Sequence, residues 1–350
     1  MPTSAPSSVL AITQGDPAGI GPEIIVRAWQ EAPDVLRDCF VAGDVGVMRR
    51  AAGLMAGPQG MAWPVAQIDG PADALAVPPR CIPVLQVGAP LVPPEHGRIT
   101  AEAGHSAGAA VEWAARAALR QEIAAMVTAP LHKEALSAAG YGFPGHTELL
   151  QAEAAAFRGV GIEELPVRMM LANDELRTVL VSIHVSLREA IDRLSHVGVL
   201  QTLRITHASL SRMLGRVPRI AVAGLNPHAG EGGLFGREEI ELIAPAVADA
   251  RAEGIEALGP FAPDTVFMRA RRQPGQPAGE FDVVIAMYHD QGLIPVKYLG
   301  VETGVNVTLG LPFVRTSPDH GTAFDIAGRG IAKADSLIAA VRVARSLACS

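Results

Sequence analysis

With 350 residues, 49% of them hydrophobic and 19% charged, the chain is long enough to build two hydrophobic cores rather than one. Its 29 basic and 36 acidic residues leave a net charge of −7 with no basic block, which argues against a nucleic-acid backbone as partner. No apolar run reaches the roughly 18 residues that span a bilayer, and the three cysteines, Cys39, Cys81 and Cys349, are too scattered for a disulfide framework or a thiolate zinc site.

Residues 1–9 are rich in Pro and Ser and lack a basic segment followed by an apolar one, so they read as a loose tip and the protein is expected to be cytoplasmic. Strand-like runs then alternate with helical patterns. A strand at 9–13 leads through a Gly/Pro turn into a helix at 22–30, with Pro22 suited to the first helical position, and a second strand covers 40–42. Residues 57–94 are proline-rich and irregular. A long helix over 101–120 precedes a short buried strand at 124–128.

Beyond a helix at 147–157, strands are expected at 167–171 and 178–183, and Ser186 with Glu189 forms a capping box. A strand at 220–223, a helix at 238–252 and a strand at 283–287 follow. Aromatic residues are only 4%, so Ala, Val, Leu and Ile must fill the interior, which suits parallel strands covered by Ala-rich helices. The alternation predicts an α/β protein with a change of domain near 140–145.

Three histidines fall at or just beyond predicted strand ends. His184 closes T-V-L-V-S-I-H, His228 follows R-I-A-V-A-G-L-N-P-H, and His289 follows V-V-I-A-M-Y-H-D. Ligands of open α/β sheets bind beyond the carboxyl ends of strands, and three imidazoles with an open position make a catalytic divalent-metal site. A loop histidine is also commonly a hydrogen-bonded structural residue, and spacings of this length carry no metal signature, so both readings stay open on spacing alone. His96, His105, His196 and His207 read as ordinary surface residues.

Polar, glycine-rich loops surround these positions. F-P-G-H-T-E puts His146 and Thr147 at a helix start, where free amides favour an anion. Lys297, Asn306 and Arg315 follow M-Y-H-D-Q-G; Lys and Arg suit phosphate and carboxylate, although a solvated surface charge is their usual state. The early G-D-P-A-G-I-G lacks G-x-G-x-x-G spacing and has no G-K-[ST] after it, so it reads as a tight turn rather than a dinucleotide fingerprint.

The segment D-H-G-T-A-F-D-I-A-G-R-G-I-A at 319–332 resembles the adenosine-binding loop of isopropylmalate and isocitrate dehydrogenases. That resemblance implies cofactor contacts at Gly321, Thr322, Ala323 and Asp325, with the Asp325 carboxylate accepting ribose hydroxyls and favouring NAD over NADP. Phe324 stands where those enzymes carry proline, and Lys333 where they often carry asparagine.

As a whole, the chain resembles the 4-hydroxythreonine-4-phosphate dehydrogenases of vitamin B6 synthesis. The matching motifs are T-Q-G-D-P-A-G-I-G-P-E (13–23), T-A-P-L-H-K (128–133), P-G-H-T-E (144–148) and G-L-N-P-H-A-G-E (224–231). P-D-T-V-F (263–267), A-M-Y-H-D-Q-G (286–292) and G-V-N-V-T-L-G-L-P-F-V-R-T-S (304–317) complete the set, while His132 replaces a frequent asparagine.

The resemblance implies two α/β/α domains with a cleft between them, similar to isocitrate and isopropylmalate dehydrogenases. The first would comprise residues 1–140 and 305–350 with the cofactor loop, and the second residues 141–304 with the metal and substrate residues and the dimer contacts. It implies that His184, His228 and His289 bind a divalent metal (Zn, Mg, Mn or Co), with ligands drawn from both subunits of a homodimer. His146, Thr147, Lys297, Asn306 and Arg315 would hold a small phosphorylated hydroxy acid, and Lys133 is a further anion contact. Asp264, Asp290 and Lys297 are the candidates for proton transfer and ligand orientation.

The implied reaction is NAD-dependent oxidation of 4-phosphooxy-threonine to a β-keto acid that loses CO₂. Relatives acting on D-threonate or D-erythronate 4-phosphate or on aromatic cis-dihydrodiols remain alternatives, as do a metal-dependent hydrolase and a non-catalytic sensor.

Overall fold

The computed structural model describes residues 8–348 apart from 57–59, 144, 274 and 277. Cys349, and Pro144 of the P-G-H-T-E motif, therefore lie outside the described residues. The chain forms two compact α/β units, one running to Pro166 and resuming at Leu311, the other spanning Val167–Gly310. The sequence pattern places the first crossing near 140. The structure keeps the helix at His146–Arg158 with the first unit, where it packs against the helix at Ala101–Leu119.

The first unit begins β1 (Leu10–Thr13), α1 (Gly21–Glu31), β2 (Cys39–Gly43), α2 (Val45–Leu54), β3 (Val65–Ile68), β4 (Ile82–Gln86), α3 (Ala101–Leu119), β5 (Ala125–Thr128), α4 (Lys133–Ala138) and α5 (His146–Arg158). The second contains β6 (Arg168–Ala172), β7 (Arg177–Leu180), α6 (Leu187–Asp192), α7 (His196–Leu214), β8 (Ile220–Ala223), α8 (Ala244–Ala252), β9 (Ala257–Phe261), α9 (Pro263–Ala270), β10 (Val283–Ala286), α10 (His289–Gly300) and β11 (Val305–Leu309). The chain then returns to the first unit with β12 (Val314–Pro318) and α11 (Asp335–Ala348).

In the first unit the strand order is β3-β4-β2-β1-β5-β12, and every pairing is parallel. In the second it is β11-β6-β7-β10-β8-β9, parallel from β7 to β9 and antiparallel where β6 meets β7 and β11. Every residue of β1, β2, β5, β8 and β10 is buried, as expected for strands covered on both faces. Parallel strands joined by crossover helices put the loops after β7, β8 and β10 on one edge of the sheet.

Local sequence accounts for several boundaries. Thr100, Ser186 and Ser195 cap α3, α6 and α7 by accepting the amides of Ala103, Glu189 and Gly198. Pro263 opens α9 and left-handed Gly215 closes α7. The Ala-rich face of α3 brings backbones close: a Cβ on Gly104 would collide with the Ala135 carbonyl of α4. Glu239–Ile243, expected as plain α-helix, is a π turn leading into α8. The irregular stretch at 57–94 contains two short parallel strands, β3 and β4.

Candidate active site

In the second unit, the segments after β7 and β10 bring two of the three predicted metal ligands together. The ring centroids of His184 and His289 are 5.8 Å apart. Both residues line a cavity of about 240 Å³ with Tyr288 and Asp290. His289 opens α10, and its Nδ1 lies 2.7 Å from Asp290 Oδ1. A carboxylate on one imidazole nitrogen orients the ring and leaves the other nitrogen for a ligand.

His228 is exposed and is not part of this cavity; its ring lies 6.3 Å from that of Phe235. Among the described residues of one chain, no group of three His, Cys, Asp or Glu side chains is placed to hold a metal ion. The loop bearing His228 is nevertheless strongly shaped. His228, Ala229, Gly230, Glu231 and Gly232 all take left-handed backbone, with φ of 51°, 53°, 79°, 42° and 65°. For the three non-glycine residues that conformation is costly, and such strain persists only where the surroundings impose it.

Two side chains that sequence reasoning did not single out hold this loop. Glu239, 3% exposed, accepts the amides of Leu225 and Asn226, each at 2.7 Å, and the Asn226 side-chain amide at 3.0 Å. Gln291 accepts the Met287 amide at 2.7 Å and donates to the Gly224 carbonyl at 2.8 Å, which links the loops after β8 and β10. Gln291 lies inside the quoted M-Y-H-D-Q-G. Glu239, in a run of surface-like acids, carried no signal apart from sitting at a helix start.

The remaining second-unit candidates are dispersed. Lys297 lies in the last turns of α10, half-buried; Asn306 is half-buried on β11; Asp264 is exposed in the first turn of α9.

In the first unit, a polar group gathers at the carboxyl ends of β1 and β5. Arg315 on β12 is 4% exposed, and its Nε and one terminal nitrogen donate to Thr128 Oγ1 at 3.1 and 2.7 Å. Burial lowers its pKa to about 10, Glu148 opposing the shift, so it stays cationic at neutral pH. His146 opens α5 beside it. Burial, then the Arg315 charge, pushes the imidazole well below its ordinary pKa, against a backbone hydrogen bond to Ala129. Its Nε2 is buried without a hydrogen-bond partner among the described residues.

Thr147 is half-buried next to His146, and Lys133 is exposed at the start of α4. Asp16, fully buried, receives the Ala18 amide on Oδ1 at 2.8 Å, while its Oδ2 has no partner among the described residues; burial raises its pKa. Buried polar atoms are normally satisfied; the orphans on Asp16 and His146 follow strand ends, where α/β sheets take ligands, whereas those on Thr206, His207 and Ser211 lie on α7.

The 319–332 segment is irregular and tied to the first glycine-rich turn. Ile20 donates its amide to Thr322 O at 3.0 Å, and the Glu23 carboxylate accepts the Gly328 amide and, at 3.0 Å, the Gly330 amide. Gly19 faces Thr322 so closely that a Cβ there would come within 3.0 Å of the threonine Cβ. The G-D-P-A-G-I-G-P-E motif thus serves as a seat for the loop. Gly321 and Asp325 are exposed, Thr322 is buried and Ala323 is left-handed, with φ of 42°. The rings of Phe324 and His132, two departures from the resembled patterns, stack at 4.7 Å.

The state of His146 has a measurable consequence. Below its ordinary pKa of 6.5 the unfolded chain binds a proton that the folded chain refuses, so stability must fall as pH drops from 6.5 towards the depressed folded value. His146→Gln is expected to remove that part of the acid loss. Urea midpoints followed from about pH 7.5 to 5 check it, and parallel curves for the two proteins would contradict the burial effect.

The profile of the family described as "Pyridoxal phosphate biosynthetic protein PdxA" matches residues 35–344. The 4-hydroxythreonine-4-phosphate dehydrogenase of Beijerinckia indica is 53% identical over 94% of this chain and 91% of its own. The D-threonate 4-phosphate dehydrogenase of Salmonella typhimurium is 44% identical over 98% and 99%. The crystal structure of 4-hydroxythreonine-4-phosphate dehydrogenase from Klebsiella pneumoniae superposes with a TM-score of 0.84 at 42% identity, covering 98% of this chain and 100% of that one. Among the described residues no helix is long and apolar enough to cross a membrane. With most of its length matched by the family profile and by relatives far above 30% identity, the chain belongs to the PdxA family and is a dehydrogenase.

Proposed function

We propose that the protein oxidises 4-phosphooxy-threonine with NAD in a divalent-metal-dependent reaction, giving a β-keto acid that decarboxylates to 3-amino-2-oxopropyl phosphate. The observation that carries this reading is the His184–His289 pair lining one cavity at 5.8 Å. Its donor chemistry fits a divalent ion: the rings come from two different strand ends, and Asp290 orients one of them. His228 is assigned as the third ligand, and the dimer expected from the family resemblance supplies ligands from both subunits. When bound, the ion supplies a Lewis acid that lowers the pKa of a coordinated alcohol, and NAD supplies the hydride acceptor.

The chain's own residues do the positioning. Arg315 offers a buried cation to the substrate phosphate, with Thr128 fixing its guanidinium plane. His146 is neutral and stands beside it, and Thr147, Lys297 and Asn306 are assigned to the same ligand. The exposed Asp325 carboxylate accepts the cofactor's ribose hydroxyls, and a 2′-phosphate would meet like charge there. Asp290, Asp264 and Lys297 are the groups assigned to orient ligands or move the substrate proton. Shelter from water would favour loss of CO₂ from the keto acid over side reactions.

A second reading is D-threonate 4-phosphate as substrate, favoured by the Salmonella typhimurium relative. A panel of 4-phosphooxy-threonine, D-threonate 4-phosphate and D-erythronate 4-phosphate, assayed for NAD and NADP reduction with and without added divalent ion, decides between them. The highest kcat/KM is expected for 4-phosphooxy-threonine with NAD and metal. A preference for D-threonate 4-phosphate would transfer the assignment, and release of inorganic phosphate without cofactor reduction would replace it with a hydrolase.

A further inference from the structure

The amino ends of β7, β8 and β10, opposite the histidine loops, gather arginines that the dehydrogenase reaction does not use. Arg177 opens β7, Arg216 and Arg219 precede β8, and Arg271 and Arg272 follow α9. Arg177, Arg216 and Arg272 line a cavity of about 140 Å³ with Asp174, Glu175 and Asp282.

The carboxylates do not serve these cations equally. Asp282 accepts two bonds from Arg216, at 2.9 and 2.7 Å, and the Arg219 amide at 2.8 Å, with the Arg219 guanidinium at 3.2 and 3.3 Å. Burial alone would raise its pKa, but these donors hold it well below the usual carboxylate range. Glu175 is taken by Arg271 Nε at 2.6 Å. Asp174 is exposed. Among the described residues no carboxylate lies within ion-pairing distance of Arg177 or Arg272. Among the described residues Arg177 makes one long bond of 3.5 Å, to the Asp282 carbonyl. Burial lowers its pKa, and the nearby Arg272 and Arg216 charges push the same way, against Asp282 and Asp174.

Arg177, largely enclosed and without an anionic partner among the described residues, is costly, and the exposed Arg272 beside it adds repulsion. An oxyanion in the cavity would relieve both, because guanidinium forks match tetrahedral oxyanions with paired hydrogen bonds. We infer that this cavity is a binding site for a phosphate-sized oxyanion, held by Arg177 and Arg272, with Asp282 occupied in keeping Arg216 and Arg219 in place. The ligand chemistry is a phosphate dianion, either free or as the head of a small phosphomonoester.

The test is calorimetric titration of inorganic phosphate, and separately of glycerol 3-phosphate, into the full-length protein without substrate or NAD, at fixed ionic strength. Arg177→Gln, Arg272→Gln and Arg315→Gln variants are titrated alongside. The expected result is a phosphate site retained in Arg315→Gln and weakened at least about tenfold in Arg177→Gln and Arg272→Gln. Binding of phosphate but not of the ester identifies the free anion, and equal binding identifies the phosphomonoester head. Unchanged phosphate affinity in Arg272→Gln, whose side chain lies on a loop outside the strands, overturns the assignment even if Arg177→Gln fails to fold. Loss of all phosphate binding in Arg315→Gln alone overturns it too, by placing every bound anion at the other site.

Discussion

Replacing His289 by Ala is expected to lower metal-stimulated NAD reduction by about 10³-fold or more, the loss of several kcal/mol of Lewis-acid assistance, while leaving the fold intact. The ring sits at the first residue of α10, and its side chain is 38% exposed. Truncation therefore opens no hole in the core built by Leu180, Val284, Leu293 and Val296. What it removes is one of the two imidazoles that meet in the cavity, the one that Asp290 orients. Asp290→Asn keeps the ring and weakens only its orientation, so a smaller loss of metal affinity, about 10–100-fold, is expected. Equilibrium dialysis with a divalent ion, run beside the assay and a thermal melt, separates these effects. Wild-type metal binding by His289→Ala with an unchanged melting temperature would remove the residue from the metal site.

Much of this arrangement was legible in the chain before folding, for reasons that differ by element. The run at 220–223 is a wholly buried strand because four apolar residues between Arg219 and a glycine can be little else in an α/β chain. Its neighbours were equally plain, and the histidines were found because they follow such runs. Two of the three meet within one chain, which spacing could not reveal, since distance along the chain says nothing about which loops converge.

Elements that were harder to read had weak local signals. β3 and β4 hide among prolines, and Pro83 lies within β4 itself. The nineteen-residue α7 mixes β-branched and hydroxyl side chains, which lowers its helical propensity. Its buried positions Val199, Leu203, Thr206 and Leu210 recur at helical spacing, and Ser195 and Gly215 bracket it, so the pattern was present but masked by composition. His196 and His207 lie on it, and His196 pairs with Asp249 at 2.9 Å.

The loop at 319–332 was recognisable from its residues, but its seat was not. Only the fold shows Glu23 gripping the Gly328 and Gly330 amides. Burial is the other quantity that sequence withheld. Arg315 and His146 stand out by their chemistry, yet what sets them apart from surface groups is that Arg315 is only 4% exposed and the His146 Nε2 is buried.

That enclosure sets the expectation for Arg315. Arg315→Met should lower kcat/KM for the phosphorylated substrate by about 10²- to 10³-fold, the range for losing one partner of a buried charge pair. The Thr128 hydroxyl that receives the guanidinium is a neutral acceptor and does not cancel its charge. With a pKa near 10 the group is cationic at neutral pH, so its field is available to a dianion. Binding energy at a phosphate remote from the oxidised carbon is spent on holding the reacting atoms, so part of the loss should appear in kcat as well as in KM. Met keeps much of the volume but gives up the bonds to Thr128 Oγ1, so a thermal melt run beside the assay separates loss of fold from loss of phosphate binding. A non-phosphorylated substrate analogue gives the control, because it never used the charge and should react equally with both proteins. If the variant slows the analogue as much as the phosphorylated substrate, Arg315 shapes the strand and does not bind phosphate.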